Sequence, residues 1–210
     1  ASYGVNIAAA HVDSPRLDLK QVPLYEDNEV AYFKTHYYGG IRKYQWLALP
    51  LALHGVVSLI DGTNVKVIFG EDENEPVLCI SDLLPHLAYE QVTKPLNKAF
   101  DAEDMNVLVG SRPFSDEDEA DLVKLNVMNI LNQKYGITED DFLSAELCLI
   151  PCFKAKDVGF DASMIGGYGH DDKVCAYTAL KAIFEINEIP EKTCACYFSD
   201  REEVGSMGNT

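Results

Sequence analysis

Apolar residues along the chain fall into short runs separated by turn formers, and only two stretches carry a helical period. The run Val5-Asn6-Ile7-Ala8-Ala9-Ala10 is small and apolar, the composition of a strand buried on both faces. Residues 17–22 and 30–34 alternate between apolar and polar positions, which predicts two more strands, and Gly39-Gly40 ends this first portion. From about residue 41 the character changes. Residues 55–60 and 65–69, joined across Asp61-Gly62, predict a β-hairpin. An acidic loop over 71–75 leads into a short strand over 77–80, and another strand is predicted over 145–153.

The first helical period follows Ser115-Asp116-Glu117-Asp118, a good helix start with acids at the positive end of the dipole. Leu122, Leu125, Met128, Ile130 and Leu131 approximate one apolar face through to Gly136, and core packing explains them. The second period, with Val174, Ala176, Tyr177, Leu180, Ile183, Phe184 and Ile186 on its apolar positions, follows Gly166-Gly167-Tyr168-Gly169-His170-Asp171-Asp172-Lys173. The last apolar run, 193–199, has strand composition and turns abruptly into Asp200-Arg201-Glu202-Glu203. The expected fold class is therefore α/β. An α/β sheet domain built from two chain segments, 1–40 and 161–210, is interrupted by an inserted β-rich unit over 41–160.

Composition narrows the function classes. A chain of 210 residues is long enough for one sizeable core, or for one domain carrying an insertion. Its formal net charge of −17 argues against nucleic acid, whose phosphates require an excess of Lys and Arg. The most apolar window, 46–60, is broken by Pro50 and His54 and is too short to span a bilayer, so no membrane partner is expected. No basic stretch precedes an apolar one at the N-terminus, so no secretory leader is read. The six cysteines form no CxxC pair, and Cys194 and Cys196 share one strand face in poor geometry for bonding to each other. Reduced thiols and a cytoplasmic location follow as the expectation.

Three stretches hold the candidate chemistry, each where a regular element meets a turn. His11 and Asp13 are two positions apart, so on an extended chain they share a face, and the carboxylate can hold the far nitrogen of a metal-bound imidazole. A turn in which Asp13 and Ser14 bond their own backbone is the plainer alternative. Asp171 or Asp172 fits as a helix N-cap, which leaves the other without a role unless it binds metal. Glu202 and Glu203 are adjacent, and like charges so close raise each other's pKa in a dry cleft. A metal, or a division between ligand and base, would resolve that conflict; a solvated acidic loop would avoid it. Together the stretches offer nitrogen and oxygen donors suited to zinc, cobalt or manganese.

In order, spacing and identity, His11-Val12-Asp13-Ser14-Pro15, the block from Tyr168 to Tyr177 and Asp200-Arg201-Glu202-Glu203-Val204-Gly205-Ser206 resemble the aspartyl aminopeptidase family, the tetrahedral di-metal aminopeptidases. Tyr37-Tyr38-Gly39-Gly40-Ile41 with Trp46, Leu51 and Gly55 resembles that family's entry into its inserted domain. The resemblance implies two divalent ions, zinc foremost. His11 would bind one, Asp13 would orient it, and Asp171, followed by a cis peptide, would bridge the two. Glu203 would be a ligand and Glu202 the general base toward a metal-activated water. Peptides would be the substrates, cleaved one N-terminal residue at a time, acidic residues foremost. The inserted domain would build a homo-oligomer, a dodecamer, and His86 would extend from it into a neighbouring subunit's site.

The chain also departs from the family pattern. Members carry a longer portion before the first histidine, and a further Asp and His ligand after the Glu-Glu pair, so these residues alone are expected to have little or no activity. Two other readings stay open here. One is a catalytically dead member acting as an assembly module; the other is a simple divalent-cation-binding protein, against which the dispersed, His-containing ligand set argues.

Overall fold

The computed structural model describes residues 3–115 and 120–207. In chain order its strands and α-helices are β1 (Val5–His11), β2 (Arg16–Asp27), β3 (Val30–Tyr38), β4 (Leu51–Ser58), β5 (Asn64–Phe69), α1 (Tyr89–Thr93), β6 (Val107–Gly110), α2 (Leu122–Tyr135), β7 (Ala145–Pro151), β8 (Lys156–Val158), β9 (Met164–Gly166), α3 (His170–Phe184) and β10 (Thr193–Ser199). They are mixed α/β, and no described helix is long and apolar enough to cross a membrane. The chain divides into two compact units: residues 1–15, 38–40 and 153–210 form the first, and residues 16–37 and 41–152 the second.

The second unit is a six-stranded sheet in the order β5-β4-β7-β2-β3-β6. The pairs β4–β5, β4–β7, β2–β7 and β3–β6 are antiparallel. Between β2 and β3 the two-residue loop Asn28-Glu29 has φ of 50° and 61°, the left-handed pair that a tight hairpin needs. Alternating residues such as Leu17, Leu51, Leu53, Val57, Val107 and Leu149 are buried and form one apolar core, which Val123 and Val127 of α2 complete. The strands expected over 17–22 and 30–34 thus pair here, so residues 16–37 group with the second unit and not with the segment ending at residue 40. Side-chain alternation identifies a strand but carries no information on which sheet accepts it.

Three local points concern the expected elements of this unit. The expected helix start at Ser115-Asp116-Glu117-Asp118 falls largely outside the described residues; α2 itself begins at Leu122 and ends, as expected, on Gly136 in the left-handed C-cap. Residues 78–80 form only isolated bridges, not a strand. β6, within a stretch of high charge and little periodicity, has only four residues, too few for an alternation to show.

In the first unit β1 and β10 pair in parallel, from Val5 opposite Thr193 to His11 opposite Ser199. α3 packs on both strands. β1 is not buried on both faces as its composition suggested: Val5 is 44% exposed and Ile7 66%, and only Ala10 and His11 are buried. The pair has α3 against it and no further strand among the described residues, so most of its apolar surface stays open.

Candidate metal centre

Parallel pairing of β1 with β10 puts the carboxyl ends of both strands at one edge, where α/β folds assemble their sites. β1 ends on His11, β10 runs into the 3₁₀ turn Glu202–Met207, and α3, which precedes β10, starts at the same edge. The amide of Val12 donates to the carbonyl of Ser199 at 3.0 Å, holding the two exits side by side.

His11 is buried, and its two ring nitrogens face different partners. Nδ1 lies 3.2 Å from both Asp13 Oδ1 and the Asp13 carbonyl, so two acceptors fix the proton on this nitrogen. Nε2 then points to Asp171 Oδ1 at 3.1 Å and Glu202 Oε2 at 3.7 Å. A lone pair facing carboxylate oxygens needs a proton or a metal cation between them. Burial works against a second proton on His11, but the hydrogen bond to Asp171 and the charges of Glu202 and Asp13 prevail and lift its pKa above the ordinary value. One ligand atom each from His11, Asp171 and Glu203 lies within 4.8 Å of the others. This nitrogen–oxygen donor set fits a borderline-hard divalent ion.

Asp13 is the hub. Its carboxylate accepts the Tyr38 hydroxyl at 2.6 Å and the backbone amides of Glu202 at 3.2 Å and Glu203 at 3.1 Å, besides facing His11 Nδ1. Burial alone would raise its pKa; these donors outweigh burial and hold it below the usual carboxylate range. The alternative of a self-bonded turn at Asp13 gives way to long-range contacts: this one side chain orients the imidazole and pins the glutamate turn. Gly39, at φ +77°, completes the packing, since a Cβ there would sit 3.0 Å from Glu203 Cβ.

The adjacent acids divide as their environments differ. Glu202 has a 59% exposed side chain beside His11. Glu203 is half-buried, and burial, then the charge of Asp171, pushes its pKa up. Neither aspartate caps α3: Gly169 is the N-cap, and Asp171 and Asp172 have non-helical backbone within the first turn. Asp171 turns to His11 Nε2, while Asp172 Oδ2 accepts the His11 amide at 3.3 Å. A bond to Cys175, then that amide, lowers the Asp172 pKa. The peptide between the two aspartates is cis, as the resemblance implied.

His11, Asp13, Asp171, Glu202 and Glu203 are thus brought together within the first unit, and His86 lies exposed in a turn of the second. Tyr38 was not singled out as a site residue. Its partner lies 25 positions away, so no local pattern marks it, and only its place in the Tyr37-to-Ile41 block hinted at a role.

The family model for aminopeptidase I zinc metalloproteases (M18) matches residues 1–210. The chain belongs to the M18 family. This is the aspartyl aminopeptidase family to which the motifs pointed, and its members are zinc-dependent hydrolases by description. Among M18 relatives, a probable M18 family aminopeptidase 1 of Clostridium acetobutylicum is 56% identical over 207 residues, 99% of this chain and 44% of that protein. Its counterpart in Thermotoga maritima is 50% identical over 207 residues, 99% of this chain and 45% of that protein. The crystal structure of the Thermotoga maritima M18 aminopeptidase matches with a TM-score of 0.92 at 49% identity, covering 99% of this chain and 45% of that chain. The chain therefore spans less than half the length of the M18 relatives it matches.

Proposed function

We propose that this chain forms part of a metal-dependent aminopeptidase that releases single N-terminal residues, acidic ones foremost, from peptides. The observation that carries the reading is the convergence of His11, Asp171 and Glu203 donor atoms within 4.8 Å, with Glu202 beside them. His11, Asp171 and Glu203 would hold two divalent ions, Asp171 as the bridge, with zinc the first choice and cobalt or manganese next. When bound, such ions supply Lewis acidity that polarises a peptide carbonyl and acidifies water. Asp13 keeps the His11 proton on Nδ1 and so leaves Nε2 as the donor. Glu202, exposed and next to the donors, accepts the proton of the attacking water and returns it to the departing amine. Three side chains shared by two ions fall short of the three protein ligands that a catalytic zinc ordinarily takes, so the described residues alone support little turnover.

The preference for acidic N-terminal residues rests on the family alone. The β-rich second unit, residues 16–37 and 41–152, is read as the oligomerisation domain. Around His86, the exposed Leu83, Leu84, Leu87, Tyr89, Val92 and Leu96 form an apolar stretch suited to association with further copies. The assembly would be a homo-oligomer, a dodecamer by family resemblance, with His86 reaching a neighbouring subunit's site. Six free thiols accord with a cytoplasmic location.

The test is Glu202→Gln in the intact protein, assayed on aspartyl and glutamyl chromogenic substrates with zinc or cobalt. Turnover is expected to fall by about 10²–10⁴-fold while metal stays bound. Unchanged turnover removes Glu202 as the base, and a metal-loaded wild type without any turnover favours the assembly-module reading.

A further inference from the structure

Lys173 and Ser14 lie outside the donor cluster, yet they tie together the two chain segments that supply two of its members. Lys173 Nζ donates to Ser14 Oγ at 2.7 Å. Ser14 Oγ in turn donates to the carbonyl of Asp171 at 3.4 Å. Running the other way, the His11 amide donates to Asp172 Oδ2 at 3.3 Å. The exit of β1 and the start of α3 are therefore tied by bonds running in both directions, and the Asp171 carboxylate faces His11 Nε2 at 3.1 Å.

The chemistry of the three groups gives this arrangement a direction. An ammonium can only donate, so at the Ser14 hydroxyl it occupies an acceptor site and leaves the hydroxyl proton for the Asp171 carbonyl. Ser14 is only 5% exposed, so its hydroxyl has no ready exchange with water and depends on these partners. Gly169 leaves room for them: at φ +83°, a Cβ there would stand 3.1 Å from Lys173 Nζ and 3.2 Å from Ser14 Oγ. A glycine at the N-cap, where a capping side chain would be the ordinary choice, thus has a steric reason.

We propose that Lys173 and Ser14 are positioning residues for metal binding: through Ser14, the Lys173 ammonium fixes the Asp171 backbone against the end of β1 and so sets the spacing at which His11 and Asp171 present their donor atoms. The inference rests on the metal-site reading above. Partners that orient metal ligands ordinarily change affinity by about 10–100-fold when removed, and the long Ser14 contact places this pair at the lower end.

The experiment is a cobalt(II) titration, followed by visible absorbance, of the intact protein as wild type, Ser14→Ala, Lys173→Met, the double variant of these two, Lys173→Arg and His11→Ala, with thermal unfolding of each metal-free form. Ser14→Ala and Lys173→Met are each expected to raise the Kd about tenfold. Lys173→Arg, still a donor, stays near wild type, the Ser14→Ala/Lys173→Met double variant is no weaker than either single one, and the metal-free unfolding temperatures stay together. Wild-type affinity in Ser14→Ala and Lys173→Met, while His11→Ala loses binding, overturns the positioning role and leaves the site reading standing. Undiminished binding in His11→Ala overturns the site reading and this inference with it. A Lys173→Met defect that Lys173→Arg does not rescue, and that follows a lower metal-free unfolding temperature, marks a purely structural role and also overturns the inference.

Discussion

The two units of the chain bury opposite kinds of residue. In the second, Leu17, Leu51, Val57, Val67, Val107 and Leu149 are fully removed from solvent in one continuous apolar core. In the first, the buried residues are His11, Asp13 and Ser14, with Ala10 and Ala176 as the only buried apolar side chains among the described residues. One unit is organised by apolar area and the other by a hydrogen-bond network around a carboxylate. Apolar packing is non-directional and tolerates exchange of shape at constant volume, whereas the network works only with donors and acceptors at fixed angles. The contrast separates what folds this chain from what would let it hold a metal.

Substitutions in each unit sharpen that separation. Leu149→Ala, in the middle of the six-stranded sheet, is expected to lower unfolding stability by about 2–5 kcal/mol without changing metal affinity, as read by denaturant unfolding beside a zinc titration. Asp13→Asn acts chiefly on the site, weakening zinc binding by about 10–100-fold. It also has a pH signature in the metal-free protein. The Asp13 carboxyl lies below its ordinary value of 3.8 when folded, so it contributes stability that is present above the unfolded value and lost as pH falls through the folded one. Acid unfolding of Asp13→Asn should lack that component, and identical acid profiles for the two proteins would contradict the hub. The smallest effect is expected from Tyr38→Phe, which removes one of the donors to Asp13: about 1 kcal/mol in metal affinity, with the unfolding midpoint of the second unit unmoved.

The same contrast explains what could be read from the sequence. Apolar runs and local periodicity showed β1, the β4–β5 hairpin, α2 and α3, because each of these signals lies within one short stretch of chain. The residues of the candidate site were legible as polar side chains placed just after strands and before a helix. Their spacing along the chain could not say that they meet; the parallel register of His11 against Ser199 does that. Partners that act across the fold left no pattern. Tyr38 read only as part of a Tyr-Tyr-Gly-Gly block, and Lys173 only as the end of the block from Gly166. The cap of α3 was misassigned to an aspartate for the same reason: capping propensity is local, and the Asp171 and Asp172 carboxylates are taken by His11. Sheet membership was likewise hidden: the strands over 17–22 and 30–34 were grouped with the first segment, whereas β2 and β3 lie between β7 and β6 in the six-stranded sheet.

The central claim is that side chains far apart in the chain form one metal site, and anomalous scattering at the zinc absorption edge from crystals of the zinc-loaded protein addresses it directly. The expected result is anomalous density at bonding distance, about 2.0–2.2 Å, from His11 Nε2 and from carboxylate oxygens of Asp171 and Glu203. Zinc bound elsewhere, with His11 Nε2 contacting only protein, would contradict it.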